Sequence, residues 1–150
     1  AELVYDPGLP LSAQNPAFSP GGDALVFTLF HGGHNAGPAG LYLIPLDGGD
    51  ITALFEEDGQ DSVNLPGSSW NAAVGRIVFA SDRADIDEVW TVAPNGADLV
   101  RATHHSSRTF FIEPGFSPDG RWIAFEVDDD APDDLQQGAA SGKCMPTAPI

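Results

Sequence analysis

The chain of 150 residues has the length of one domain and carries 22 acidic against 6 basic residues, a formal net charge of −16. This charge argues against nucleic acid as a partner, because binding to phosphates depends on Lys and Arg. The negative charge is consistent with a basic protein partner, a bound cation, a salty medium or simply high solubility. No stretch is apolar enough to cross a membrane, and residues 1–8 lack the basic and apolar regions of a signal peptide. A secreted chain that had already been cleaved would look the same, so the sequence leaves the localisation open.

Turn-forming residues are frequent throughout the chain, with 17 Gly and 13 Pro. No window shows apolar residues recurring at helical spacing over three turns. This composition favours an all-β chain of short strands. The lone cysteine, Cys144, cannot form an internal disulfide and therefore does not report on the redox compartment.

One segment occurs three times in altered form, as "PAFSPGGDALVF", "SSWNAAVGRIVF" and "PGFSPDGRWIAF". Each copy has an aromatic residue nine positions before a phenylalanine, and these leading aromatics are Phe18, Trp70 and Phe116. They are separated by 52 and 46 residues. Such periods indicate an array of small units that must stack on one another to bury both of their faces.

The first half of each unit is predicted to be a pair of strands, a and b, joined by a tight turn. Strand a ends at the leading aromatic, and Ser-Pro-Asp-Gly suits the turn because Pro presets φ and Gly tolerates a positive φ. The middle unit has "NAAVG" instead, which weakens the turn but keeps the spacing. Strand b spans residues 25–30, 76–80 and 121–127, whose nearly continuous apolar sequence is typical of a sheet covered on both faces.

The second half of a unit is predicted to hold strands c and d. Strand c carries Tyr42 in the first unit and Trp90 in the second, and Asp-Gly at 47–48 or Asn-Gly at 95–96 forms the following hairpin turn. Four antiparallel strands per unit, stacked face to face, make a β-propeller blade. The predicted fold class is therefore an all-β propeller with three four-stranded blades in the chain.

The motifs "FSPDGRWIAF", "DEVWTVAPNGADLVRAT" and "GLYLIPLDGG" resemble the blades of TolB-like (WD40-like) β-propellers. Similar blades also occur in the gating domains of prolyl-oligopeptidase-type serine peptidases. The resemblance covers about residues 15–127. It implies a propeller that binds proteins or peptides, and it favours a periplasmic or secreted location; the blade motif itself is structural and does not specify a function.

Three units are fewer than the roughly 4 to 8 blades of a closed propeller. We expect residues 1–130 to form half of a propeller in which one blade is shared by the N-terminal and C-terminal strands. Only strands a and b are recognisable in the third unit, and residues 131–150 are predicted to be a polar, disordered tail. Two chains that exchange their N-terminal strands would close a six-bladed homodimer. The alternatives are a piece of a longer propeller and a chain with three open blades.

The b–c and d–a loops emerge on one face in this topology, and that face carries 13 of the 22 acidic residues, with Glu88 counted among them. The candidate ligand-binding or partner-binding acids are Asp58, Asp61, Asp82, Asp85 and Asp87. Calcium takes about six to eight oxygen ligands and could bind here, but no EF-hand spacing is present. A solvated acidic rim is the preferred interpretation, so no cofactor is predicted and calcium stays the alternative.

All four histidines map to the same face, His31 and His34 on a b–c loop and His104 and His105 on a d–a loop. Two of them could share a zinc ion, but zinc sites need three or four ligands. Hydrogen bonding to loop backbone, or lining of the pore mouth, is therefore preferred. Two positively charged residues on this face, Arg83 and Arg108, are the remaining candidate binding residues.

The stretch "AFSPG" resembles a variant of the nucleophile elbow G-x-S-x-G. That elbow requires a strand-to-helix turn, whereas Ser19 occupies the repeated blade turn that also holds Ser117. We therefore assign no catalytic residue and predict a non-catalytic scaffold for a protein, peptide or small ligand, with a basic partner favoured by the charge. The alternative is a propeller hydrolase or lyase, or the gating domain of a peptidase whose catalytic domain lies on another chain.

Overall fold

The computed structural model describes residues 3–56, 63–64, 69–84, 86–104, 109–129 and 143–146. This part of the chain forms three antiparallel sheets and contains no helix, which confirms the all-β class. Accordingly, none of the described residues belongs to a helix that could cross a membrane.

The first blade is a complete sheet of four strands in the order β1 (Ser12–Phe18), β2 (Ala24–Phe30), β3 (Ala39–Pro45) and β4 (Thr52–Glu56). Successive residues of a strand point to opposite faces of its sheet. The blade therefore has two apolar faces, and one of them packs against the second blade.

The second blade is built around β7 (Arg76–Ser81), which pairs with β8 (Glu88–Val92), and β8 in turn pairs with β9 (Val100–Arg101). Two short strands, β5 (Val63–Asn64) and β6 (Trp70–Asn71), both pair with the other edge of β7. Strand a of this unit is therefore made of two pieces.

The third blade consists of β10 (Thr109–Phe116), β11 (Trp122–Asp129) and β12 (Lys143–Pro146), in that order. The pairing of β12 runs antiparallel along β11, from Phe125 opposite Lys143 to Trp122 opposite Pro146. β12 lies within residues 131–150 and adds a third strand to the two that the sequence pattern showed in this unit. An unpaired strand edge accepts almost any extended segment, so β12 pairs without a strong strand signal of its own.

Two apolar clusters hold the three blades together. Between the first and second blades, Val26 and Leu41 pack with Phe79 and Ile77. Between the second and third, Val78, Ala80 and Val89 pack with Ile123 and Phe125. Because alternate residues of β7 belong to different clusters, this strand is buried on both faces, as its continuous apolar sequence predicted.

Residues 3–11, which we call the N-terminal strap, form no strand in the single chain. They lie over the face of the first blade that points away from the second blade. There the Tyr5 ring contacts the Phe27 ring with 5.4 Å between centroids, and Leu11 joins the same apolar cluster. The shared blade is thus not formed within one chain and stays a prediction for two.

Candidate functional site

Six of the predicted binding residues lie in the part of the chain that the structure describes, namely His31, His34, Asp82, Arg83, Asp87 and His104. The remainder lie outside the described residues, namely Asp58, Asp61, Asp85, His105 and Arg108. The described ones sit at the ends of strands from which the b–c and d–a loops leave, the face that the topology assigned to them.

The b–c loop of the first blade, residues 31–38, is closed by its own backbone. The N–H of His31 donates to the carbonyl of Pro38 over 2.8 Å. A Cβ on Gly32 would stand 2.8 Å from the carbonyl oxygen of Gly37, so this close approach requires glycine. The exposed His31 ring lies at the loop edge, with its Nε2 atom 3.4 Å from the hydroxyl oxygen of Tyr42.

His34 and His104 are both exposed, one on the first b–c loop and the other after β9. Among the described residues, no three His, Cys, Asp or Glu side chains converge closely enough to hold a metal ion.

The b–c loop of the second blade, residues 82–87, is anchored to the first blade through Arg83. The guanidinium lies 5.2 Å from the ring centroid of Phe55 on β4 and 5.3 Å from that of Trp90 on β8. Such cation–π contacts favour a fixed position for the charge. The Arg83 N–H also donates to the hydroxyl of Ser81 over 3.2 Å. Arg83 therefore holds the start of this loop in place.

Glu88 does not belong to the acidic loop, contrary to its assignment from sequence. It begins β8, is fully buried, and forms an ion pair with Arg101. Its carboxylate also accepts a hydrogen bond from the hydroxyl of Thr103, and that hydroxyl accepts the N–H of Val89 over 2.8 Å. Burial of a carboxylate requires such pairing, and only the fold brings Arg101 and Thr103 to it.

Asp87 is the titratable group that this loop perturbs most clearly. The side chain is half-buried, and its pKa is raised to about 6, first by burial and then by the negative charges of Asp82 and Glu88. The raised pKa means that the carboxylate lacks sufficient positive charge around it. A cation or a basic side chain placed here would relieve that deficit.

The repeated serines lie at the opposite ends of the strands. Ser19 donates its hydroxyl hydrogen to Asp23 over 2.6 Å and accepts the N–H of Ala24 over 3.0 Å. Ser117 in the third blade likewise accepts the N–H of Trp122, but it donates to Asp119, which is two residues later rather than four. These hydroxyls hold the pKa of Asp23 and of Asp119 below its ordinary value. Both serines therefore close turns, in agreement with the structural interpretation of the motif.

Asn71 is a residue whose role the sequence analysis missed. It occupies the position of Ser19 in the second unit, and its Oδ1 accepts the N–H of Ala73 over 2.8 Å, which closes the altered turn. Its Nδ2 donates to the carbonyl of Ser117 in the third blade over 2.9 Å. The aligned position, with a short polar side chain in place of serine, was the available signal.

No protein-family model and no curated protein sequence matches the chain. Solved structures do match. A putative TolB from Agrobacterium tumefaciens superposes with a TM-score of 0.64 at 23% identity, over 84% of this chain and 42% of that one. TolB from Acinetobacter baumannii gives a TM-score of 0.60 at 17% identity, over 90% of this chain and 32% of that one. The fold is that of a TolB-like β-propeller.

This TolB-like fold is shared with enzymes. An oligogalacturonate lyase in complex with manganese superposes with a TM-score of 0.65 at 14% identity, over 87% of this chain and 39% of that one. The TolB-like chain thus spans less than half the length of the structures it matches. At these sequence identities the similarity establishes the fold only, and function has to be argued from the residues of the site.

Proposed function

We propose that this chain is a non-catalytic binding scaffold that takes a basic segment of a protein or peptide at the loop between β7 and β8. The observation that carries the proposal is the half-buried carboxylate of Asp87, which shares its loop with Asp82. Its raised pKa is in line with this placement. An ammonium or guanidinium group at Asp87 would favour its ionised form. Its positive charge would offset first the cost of burying the ionised carboxylate and then the repulsion from Asp82 and Glu88.

The loop is suited to this role because it is held in place before a ligand arrives. The contacts of Arg83 with Phe55 and Trp90 fix one end, and the buried pair of Glu88 with Arg101 fixes the other. A preorganised loop loses less conformational entropy when it binds. Other acids of the predicted face, Asp58, Asp61 and Asp85, would extend the same negative surface.

Titration calorimetry with an arginine-rich hexapeptide tests the proposal. Asp87→Asn should weaken binding several-fold, whereas the control Asp50→Asn, on the exposed turn after β3 at the other ends of the strands, should leave it unchanged. Binding should fade as salt rises, since charges are screened over about 10 Å at 0.1 M ionic strength. It should also strengthen between pH 5 and 7 as Asp87 ionises. Equal losses in both variants would contradict a site at this loop.

Calcium chloride in the same calorimeter separates a metal site from a peptide site. Heat with calcium and none with the peptide would replace the proposed ligand by a divalent cation. Absence of heat with both at low ionic strength would leave the charge as a contribution to solubility only.

A hydrolase or lyase is the second candidate, because an oligogalacturonate lyase and a puromycin hydrolase share this fold. His31, His34 and His104, all exposed on the loop face, are among the described side chains that could serve it as acid or base. A generic hydrolase and lyase screen decides between the two. Turnover that disappears in His31→Ala or His104→Ala would overturn the scaffold.

Location and assembly complete the proposal. The likeness to TolB structures supports a periplasmic or secreted protein, which fractionation of the source cells would test. The predicted homodimer would place two copies of the acidic loop on one ring.

A further inference from the structure

Equivalent positions of the three blades have different surroundings. Trp70 packs into the cluster between the first and second blades, and Phe116 into that between the second and third. Phe18 occupies the same place in the first blade, yet it is 64% exposed. In each blade this aromatic position faces the preceding blade, and the first blade has none before it in the described chain.

The strap covers this preceding-side face only in part. Tyr5 and Leu11 bury Phe27, the equivalent of Phe79 and Phe125. A cavity of about 220 Å³ stays open between the strap and the sheet, lined by Val4, Tyr5, Ala13, Gln14, Pro16, Leu25, Phe27 and Ile44. Interiors between packed blades do not leave such space, so the strap fits this face less closely than a blade would.

The third blade is open on the complementary side. Val26 and Val78 are completely buried against the following blade, whereas their equivalent, Ala124, is exposed. Trp122 is 44% exposed although its equivalents in the first and second blades, Ala24 and Arg76, are buried. The described blades therefore present two partly uncovered faces, one on the first blade beside Phe18 and one on the third blade beside Trp122.

We propose that the face of the first blade bearing Phe18 docks the third blade of a second copy, on the side bearing Trp122 and Ala124. This junction would repeat the packing already made between consecutive blades of one chain. It joins two different surfaces, so two copies close a ring when each supplies both. Three blades from each copy give the six-bladed ring, within the common range of about 4 to 8 blades.

The strap lies at the new junction and has a defined place there. An N-terminal strand that completes the partner's third blade would pair first with the free edge of strand b, but β12 already occupies that edge of β11. The outer edge of β12 is the position left for a fourth strand. Deletion of residues 1–8 should therefore weaken the dimer. Unchanged dimerisation after the deletion would show that the strap does not contribute to the junction.

Light scattering coupled to gel filtration tests the dimer with the full chain. The expected mass at micromolar concentration is twice the 15.7 kDa of one chain. Phe18→Asp and Trp122→Asp should each raise the dissociation constant at least about 30-fold, as loss of a buried aromatic anchor does. The control is Val100→Asp, because Val100 is also 44% exposed but lies on the outer strand of the middle blade. It should leave the dimer intact.

A mixture of the Phe18→Asp and Trp122→Asp chains distinguishes this ring from other dimers. Each variant alone damages both junctions, whereas the mixed dimer keeps one junction wholly native, so mixing should restore part of the dimer. Circular dichroism must show that each variant is folded, and Phe18→Ser replaces Phe18→Asp if it is not. A folded monomer of the native chain, a dimer insensitive to either substitution, or no recovery on mixing would each overturn the proposal.

Discussion

The side-chain amide of Asn71 in the second blade donates to the carbonyl of Ser117 in the third, over 2.9 Å. The same side chain closes its own turn through Oδ1. One residue therefore links the local geometry of a turn to the packing of two blades.

Substitution of Asn71 separates these two contributions. Asn71→Ser keeps a turn-closing oxygen, as in the other units, but is too short to reach Ser117, and it should cost about 1 kcal/mol. Asn71→Ala loses both interactions and should lower the free energy of unfolding by about 2 kcal/mol. Urea denaturation measures both variants. Unchanged stability in Asn71→Ser would show that the bond between blades contributes nothing, and equal losses in the two variants would show the same of the turn-closing oxygen.

Thr28 provides a stabilising substitution. Its side chain is fully buried on β2, and its Oγ1 has no hydrogen-bond partner among the residues that the structure describes. Thr28→Val removes an unsatisfied hydroxyl without changing the shape, and it should raise stability by about 1 kcal/mol. Thr91→Val is the matched control, because the Thr91 hydroxyl accepts the Nε–H of Arg76 over 3.0 Å and its loss should destabilise. A loss of stability in Thr28→Val would contradict the assignment.

Arg101 should be among the most sensitive charged positions. Arg101→Met leaves the buried Glu88 carboxylate without the guanidinium, which should cost about 3 kcal/mol. Adding Glu88→Gln to Arg101→Met should recover part of that loss, because the neutral amide is cheaper to bury. A double variant less stable than Arg101→Met alone would argue against the ion pair as the cause. Thermal unfolding of the native chain and of these two variants gives the comparison.

The raised pKa of Asp87 predicts how the stability of the protein depends on pH. Its pKa in the folded chain, about 6, lies above the ordinary value of 3.8, so folding favours the protonated form. The contribution of Asp87 to the free energy of unfolding should therefore increase as the pH falls from about 6 to 4, and it should be lost as the pH rises through 6. Asp87→Asn should flatten this part of the stability profile, whereas Asp50→Asn should not. A profile that keeps its slope in Asp87→Asn would assign the effect to other groups.

The sequence predicted those parts of the fold that depend on local pattern. Strand b was expected at residues 76–80 and is found at Arg76–Ser81, because a strand covered on both faces is apolar throughout. The turn glycines Gly48 and Gly96 do have positive φ, 93° and 81°. Both features are encoded within a few residues of where they occur.

Features that depend on tertiary contacts were not predicted. The pairing of β12 with β11 is decided by an open strand edge rather than by the composition of β12. Glu88 was placed on the acidic loop because neither Arg101 nor Thr103 is close to it in sequence. The candidate site is likewise only partly predictable from the sequence. The pKa of Asp87 is raised mainly by burial, which the order of residues does not reveal.

The position of β7 between two apolar clusters has a consequence for the dynamics of the chain. Opening this strand to solvent requires separation from both neighbouring blades, whereas the edge strands of the end blades can open alone. Amide protons of β7 should thus exchange with solvent only in global unfolding events, and those of β1 through local fluctuations. The middle blade would then be the cooperative unit that survives longest, and the end blades would be free to rearrange around it.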